Sequence, residues 1–446
     1  MARAWFGTDG IRGVANGSLS VELALRVGRA AALHAATDAA RPTILVGRDT
    51  RRSGTMLEDA VCAGIAAAGG TAVRLGVLPT PAVAWNVLRL GADAGVVISA
   101  SHNPYPDNGI KLFGADGYKL LDAEEEAIEA QLDAAADLPT GAAVGTTTSE
   151  PGAGEAYATW VAAAAGLRLD GMRIVVDCAH GAAATVAPSI FHQLGADVTL
   201  IGCDPDGINI NVQCGSTHLD HVAAAVHTHG AEVGVAFDGD ADRVLFTTAT
   251  GFPVDGDHIL AILARDALER NALPGGRVVV TSMANLGAHH ALTRLGCVVE
   301  VTDVGDRYVL EAMRRDGSVL GGEQSGHVIA LDHQTTGDGP LAAVLMLAAL
   351  RRSGQTLAEA AADVEKFPQQ LISVRARREG LPECTALWDA VAAAERELGN
   401  DGRVVLRASG TEPLVRVMVE ARDPDRCRAL ADLLVAIVER ELPVTG

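Results

Sequence analysis

The feature that most constrains this chain is a repeated alternation. Short β-branched runs give way to Ala-rich amphipathic stretches, three times over. A period of two followed by a period near 3.6 marks βαβ units on a largely parallel sheet. The first pass predicts strands over Thr43–Gly47, Thr71–Val77 and Ala94–Ser99, with helices over Met56–Ala68 and Pro81–Leu90. In the second, the strands are Arg173–Asp177, Asp197–Ile201 and Glu232–Phe237, and the helices Ala182–Leu194 and Leu219–His229. The third places strands at Arg277–Thr281, Val298–Thr302 and Ser318–Leu320, with helices at Leu286–Leu295 and Asp306–Arg315. Beyond it the pattern changes. Strands Leu371–Arg375, Val404–Leu406 and Leu414–Val419, with helices Leu387–Leu398 and Arg426–Leu442, read as a smaller α+β unit.

The expected fold class is α/β: three related mixed-sheet αβα domains followed by a smaller α+β C-terminal domain. At 446 residues the chain is too long for one core. Its divisions are expected at 1–150, 151–252, 253–366 and 367–446. The Gly/Thr-rich stretch Leu138–Gly154 is the clearest linker.

Aromatic residues make up only 3%, so the core must be built from Ala, Val, Leu and Ile. The formal charge of −20 repels nucleic acid and anionic membranes, which excludes both as partners. An anionic substrate would require positive charge concentrated locally. Seven scattered cysteines, with no C-x-x-C pair, read as reduced thiols without a disulfide frame or zinc site. No apolar signal segment opens the chain, and Leu341–Leu350 falls well short of the roughly 20 residues a membrane span needs. The expected compartment is the cytoplasm.

Three of the strands run into polar, Gly-rich loops at their carboxyl ends, where ligands gather in open α/β sheets. After Val96-Val97-Ile98 comes Ser99-Ala100-Ser101-His102-Asn103-Pro104, an exposed serine in a turn. No Gly-x-Ser-x-Gly elbow surrounds Ser101, so an acyl-transfer serine is not supported. Lys111 follows in a chain where only Lys111, Lys119 and Lys366 are lysine among 36 basic residues. Arginine keeps its proton, whereas lysine can lose one when its surroundings lower its pKa, so Lys111 reads as an acid/base candidate. Lys119 reads as a surface leftover.

After Phe237 comes Asp238-Gly239-Asp240-Ala241-Asp242-Arg243. Three carboxylates at alternate positions repel one another or share a cation, and an all-oxygen set suits Mg²⁺ or Ca²⁺. An EF-hand would need Gly at the sixth position and Glu at the twelfth; Arg243 and Ala249 stand there. In Gly321-Gly322-Glu323-Gln324-Ser325-Gly326-His327, a carboxylate and a hydroxyl suit vicinal sugar hydroxyls. Near the C-terminus, Arg407-Ala408-Ser409-Gly410-Thr411-Glu412-Pro413 and then Arg416 offer hydroxyls, backbone N–H groups and two arginines as a phosphate cradle. No P-loop or dinucleotide fingerprint is present.

The order of these loops, with Phe6-Gly-Thr-Asp-Gly-Ile-Arg-Gly13, Gly207-Ile-Asn-Ile-Asn211, Cys214-Gly-Ser-Thr-His218 and Val304-Gly-Asp-Arg-Tyr-Val309, resembles the α-D-phosphohexomutase superfamily across the whole chain. Within it the sequence is most similar to the bacterial branch acting on glucosamine phosphates; Gln324 stands where the phosphomannomutase/phosphoglucomutases more often carry Met. Ala408 departs from the Pro common in the family. The resemblance implies four domains around a central cleft and interconversion of glucosamine 6-phosphate and glucosamine 1-phosphate, feeding UDP-N-acetylglucosamine and peptidoglycan synthesis. It implies phosphoserine at Ser101, with Mg²⁺ on Asp238, Asp240, Asp242 and the Ser101 phosphoryl group. Arg12, His102 and Arg243 would surround the transferred group, and Lys111 would be the acid/base. Glu323, Ser325 and His327 would hold the sugar. Arg407, Ser409, Gly410, Thr411 and Arg416 would hold the other phosphate. A hexosamine 1,6-bisphosphate would be intermediate and primer, and a homodimer is the candidate assembly. The alternatives are a phosphomannomutase/phosphoglucomutase of the same mechanism, or a silent sugar-phosphate-binding regulator. The regulator is disfavoured because serine, lysine and all three aspartates occur together.

Overall fold

A computed structural model describes residues 5–7, 9–36, 41–133, 137–408 and 413–444, and each predicted alternation forms a separate sheet in it. The first sheet runs, in spatial order, Phe6–Gly7, Gly10–Val14, Asp107–Gly114, Ala94–Ile98, Thr43–Arg48, Thr71–Val77 and Thr146–Ser149. Ala94–Ile98 and the three strands after it in that order are parallel neighbours; the others join antiparallel. The second sheet holds Pro253–Val254, Val244–Thr248, Val233–Phe237, Arg173–Asp177 and Asp197–Ile201. In the third, parallel Val298–Thr302, Arg277–Thr281 and Leu320–Gly322 are joined by antiparallel Val328–Ala330. The fourth is antiparallel throughout, Gln369–Arg375, Leu414–Ala421 and Gly402–Ala408, and packs on helices Thr385–Leu398 and Pro424–Glu441.

Three differences from the sequence reading have local causes. The stretch read as a linker contributes Thr146–Ser149, an exposed strand pairing with Thr71–Arg74 at the sheet edge. Strand Pro253–Val254 belongs to the second sheet, although it lies beyond residue 252. The helix expected over Ala182–Leu194 is broken into a 3₁₀ turn, Ala182–Thr185, and an α-helix, Ala187–Leu194. Pro188 has no N–H to continue the ladder and would crowd the Ala184 carbonyl.

The apolar run Leu341–Leu350 lies in helix Gly339–Ser353, buried on every side. A helix apolar all round must be enclosed, and this one lies in a continuous core shared by the first three units. Its N-cap, Asp338, ties them together. Asp338 Oδ1 accepts from Leu341 N–H at 2.9 Å and from the Tyr157 hydroxyl of the second unit at 2.7 Å. Oδ2 accepts from Gln334 Nε2 at 3.3 Å, which also donates to the Pro81 carbonyl of the first unit at 3.1 Å. The fourth unit is anchored by buried Glu420, which accepts from Asn285 Nδ2 at 3.2 Å and Leu286 N–H at 3.1 Å. Among the described residues, no helix is long and apolar enough to cross a membrane.

Burial raises the Asp338 carboxyl to about 6. Its contribution to stability is therefore complete below the ordinary carboxylate range and is lost as pH rises through 6. Asp338→Asn should remove this dependence. Urea unfolding of both proteins should show the wild type losing roughly 2–3 kcal/mol relative to the variant between about pH 4 and pH 7. Parallel pH profiles would contradict it.

Candidate active site

The three polar loops follow strands Ala94–Ile98, Val233–Phe237 and Leu320–Gly322, and all converge at carboxyl ends. Ser101, expected to be exposed in its turn, is instead buried under the loop of the second unit and holds a left-handed backbone, φ 51°. Its N–H donates to Ser99 Oγ at 3.0 Å, and its Oγ donates to Asp238 Oδ2 at 2.5 Å. The loops of two units therefore meet backbone to backbone. A Cβ on Gly239 would lie 2.6 Å from the Ser101 carbonyl oxygen, which only glycine avoids.

Asp238, Asp240 and Asp242 are all buried, with one oxygen of each inside 4.8 Å of the others. Burial, then the charges of Asp242 and Asp240, push the Asp238 carboxyl well up. Burial also opposes the charge on Asp242, but Lys111, His327 and Arg243 hold it down at about 2. Asp240 Oδ2 accepts from Thr80 Oγ1 at 2.6 Å and from Lys111 Nζ at 3.0 Å. Among the described residues, no hydrogen bond reaches Asp240 Oδ1 or Asp242 Oδ1. Buried carboxylate oxygens without donors, in an all-oxygen set, fit a hard cation. The triad can hold a metal ion.

Lys111 is buried, with Nζ 3.0 Å from Asp240, 3.2 Å from Asp9 and 3.3 Å from Asp242. Burial pulls its pKa down, but these carboxylates outweigh burial and hold it well above the ordinary lysine value. The surroundings therefore do not lower the Lys111 pKa here, and the side chain is charged. Lys119 corrects the sequence reading outright. It is only 19% exposed, lies 2.7 Å from Asp9 and pairs with Asp306 of the third unit. The scarcity of lysine that marked Lys111 applied equally to it.

Above this floor opens a cleft of about 510 Å³, lined by Arg12, His102, Arg243, Glu323, His327 and Arg407 among others. Arg12, Arg243, Arg307 and Arg407 bring one arginine from each unit, in a chain whose net charge is −20. Arg12 pairs with Asp9. Arg243 Nη1 lies 3.0 Å from His102 Nδ1, so that nitrogen accepts and Nε2 carries the proton. Burial, then Arg243 and Arg12, lower the His102 pKa. Glu323 is braced by the Gly305 N–H at 3.2 Å, and His327 Nε2 stands 3.7 Å from Asp306. Ser325 is exposed and does not line the cleft; Arg416, half-buried and cross-strand from Arg407, does not line it either. Ser409, Gly410 and Thr411 lie outside the described residues. Asp9, Thr80 and Asp306 were not singled out by their sequence. Asp9 and Asp306 lie inside quoted motifs, whereas Thr80 has no local signal beyond a helix start after Pro79.

Four models of phosphoglucomutase/phosphomannomutase domains match this chain in order. The alpha/beta/alpha domains I, II and III match residues 3–138, 155–251 and 255–367, and the C-terminal domain matches 356–437. The chain belongs to the phosphoglucomutase/phosphomannomutase family. It is a mutase, an enzyme of the phosphohexomutase kind. The phosphoglucosamine mutase of Moorella thermoacetica is 53% identical over 94% of this chain and 95% of that protein. That of Saccharopolyspora erythraea is 53% identical over 97% and 98%. Among solved structures, a phosphoglucomutase/phosphomannomutase family protein from Burkholderia thailandensis shares the fold. Its TM-score is 0.83 at 24% identity, over 99% of this chain and 100% of that one.

Titration with Mn²⁺ tests the triad. Asp240→Asn should abolish tight binding. Thr80→Val, which frees Asp240 Oδ2 of its brace, should weaken binding roughly tenfold or more. Unchanged affinity in both would place the cation elsewhere.

Proposed function

We propose that the chain interconverts glucosamine 6-phosphate and glucosamine 1-phosphate by way of a phosphoryl group carried on Ser101. The observation that carries this is the 2.5 Å contact of Ser101 Oγ with Asp238, in a buried triad beneath a cleft lined by four units. The choice of sugar rests on the relatives, 53% identical over nearly their full length and named phosphoglucosamine mutases.

In the forward half-reaction the P–Oγ bond of phospho-Ser101 breaks and a P–O bond to a sugar hydroxyl forms. Lys111, charged among its carboxylates, gives a proton to the departing Oγ as the acid and takes the sugar hydroxyl proton in its place, so the exchange leaves its charge unchanged. Asp238, Asp240, Asp242 and the Ser101 phosphoryl group would hold Mg²⁺, which would supply positive charge to the transferring oxygens. Arg243, Arg12 and His102 surround those oxygens. The resulting glucosamine 1,6-bisphosphate stays in the cleft, turns around and returns its other phosphate to Ser101. The same bisphosphate would prime an unphosphorylated chain.

Binding must serve both orientations. Glu323, Ser325 and His327 hold sugar hydroxyls, while Arg407, Ser409, Gly410, Thr411 and Arg416 hold the non-reacting phosphate. Ser325 and Arg416 stand off the cleft wall, so they would reach substrate only as the cleft closes. Closure also shields phospho-Ser101 from water. We place the reaction in the cytoplasm, supplying glucosamine 1-phosphate for UDP-N-acetylglucosamine and peptidoglycan precursors.

The test is an assay of the purified, Mg²⁺-loaded protein on glucosamine, glucose and mannose 6-phosphates. The glucosamine ester should have the highest kcat/KM, by roughly tenfold or more. A preference for glucose or mannose would defeat the substrate assignment.

A further inference from the structure

The Ser101 loop has no regular secondary structure between Ser99 and Pro106, yet its carbonyls are collected on one side. The collector is Arg51, whose side chain is fully buried. All five of its guanidinium N–H groups find an oxygen. Nε donates to Asp49 Oδ2 at 2.8 Å; Nη1 donates to the carbonyls of Pro104 at 2.6 Å and Asp107 at 3.0 Å. Nη2 donates to the carbonyls of Ser101 and Asn103, both at 2.8 Å. A second donor reaches the same two carbonyls from the second unit. Asn211 Nδ2 lies 2.9 Å from the Ser101 oxygen and 3.3 Å from that of Asn103. Asp49 completes the frame by accepting from Ser99 Oγ at 2.6 Å, the hydroxyl that in turn accepts the Ser101 N–H.

A left-handed backbone at a non-glycine residue costs free energy and persists only where its surroundings over-determine it. Here Arg51 and Asn211 together supply four N–H groups to two carbonyls and fill both lone pairs of the Ser101 oxygen.

We propose that Arg51 and Asn211 are positioning residues for phosphoryl transfer. They aim Ser101 at the Asp238 triad by gripping its carbonyl from two units, without touching substrate or metal themselves. This rests on the reading of Ser101 as the phosphoryl carrier. Lysine cannot substitute for Arg51, because an ammonium has three donors in place of a planar fork of five.

The experiment compares Arg51→Lys, Asn211→Gly and Ser101→Ala, all Mg²⁺-loaded. Asn211 has a φ of 60°, so glycine keeps that backbone free while removing the amide. For Arg51→Lys, kcat should fall about 100-fold with KM changed less than about threefold, the size of effect a misplaced reacting group produces. Single-turnover transfer from phospho-Ser101 should slow by the same factor, while Mn²⁺ affinity and melting temperature stay near wild type. Asn211→Gly should show the same split at smaller amplitude, and it carries the test if Arg51→Lys does not fold. Wild-type kcat in the folded variants, with Ser101→Ala inactive, would overturn the positioning role alone. A loss of kcat that follows a loss of Mn²⁺ binding or melting temperature would also overturn it, by showing a structural role only. Full turnover in Ser101→Ala would overturn the carrier reading and the positioning role with it.

Discussion

Three carboxylates buried within 4.8 Å of one another cannot all keep their charge unless positive charge is brought to them. Much of the arrangement around the cleft follows from that constraint. The triad lies on the second unit, but its nearest cation, Lys111, comes from a strand of the first. Lys111 also touches Asp9, Asp9 is shared with Lys119, and Lys119 pairs with Asp306 of the third unit. A line of alternating charge thus runs across the cleft floor and fixes three units relative to one another. With Asp240 Oδ1 and Asp242 Oδ1 lacking donors, the protein's own cations leave room for one more.

That electrostatic floor explains how a strongly acidic chain can present a site for a doubly anionic sugar. The arginines of the cleft come one from each unit, so the positive charge assembles only when the four units come together. Burial also suits the carrier role proposed for Ser101: at a site built to activate phosphoryl transfer, water would compete with the sugar hydroxyl, and Ser101 sits beneath a cleft that substrate can fill.

Elements dominated by their own residues were legible in the sequence. Thr71–Val77, Arg173–Asp177, Asp197–Ile201, Arg277–Thr281 and Val298–Thr302 are β-branched runs whose bounds match the reading residue for residue, as does helix Leu219–His229. Strands Gly10–Val14 and Asp107–Gly114 were not legible. They carry Arg12 and Lys111 among Gly, Asp and Asn, and most of Asp107–Gly114 is buried, so no polar–apolar alternation marks it. The chemistry of those residues could be read while their scaffold could not. Arg51 and Thr80 were invisible for a different reason, and Asn211, inside the Gly207–Asn211 motif, carried no assigned role. Each acts through contacts with residues 50 or more positions away, and arginine is the common cation of this chain.

On the mechanism proposed above, Ser101 gives up and receives the phosphoryl group. The most direct test is a pulse–chase with glucosamine 1,6-bisphosphate labelled in both phosphates, read by peptide mapping of the Mg²⁺-loaded protein. A single labelled peptide containing Ser101 is expected, with its label moving onto unlabelled glucosamine 6-phosphate in the chase. Label on another residue, or label on Ser101 that appears only as free phosphate, would contradict it.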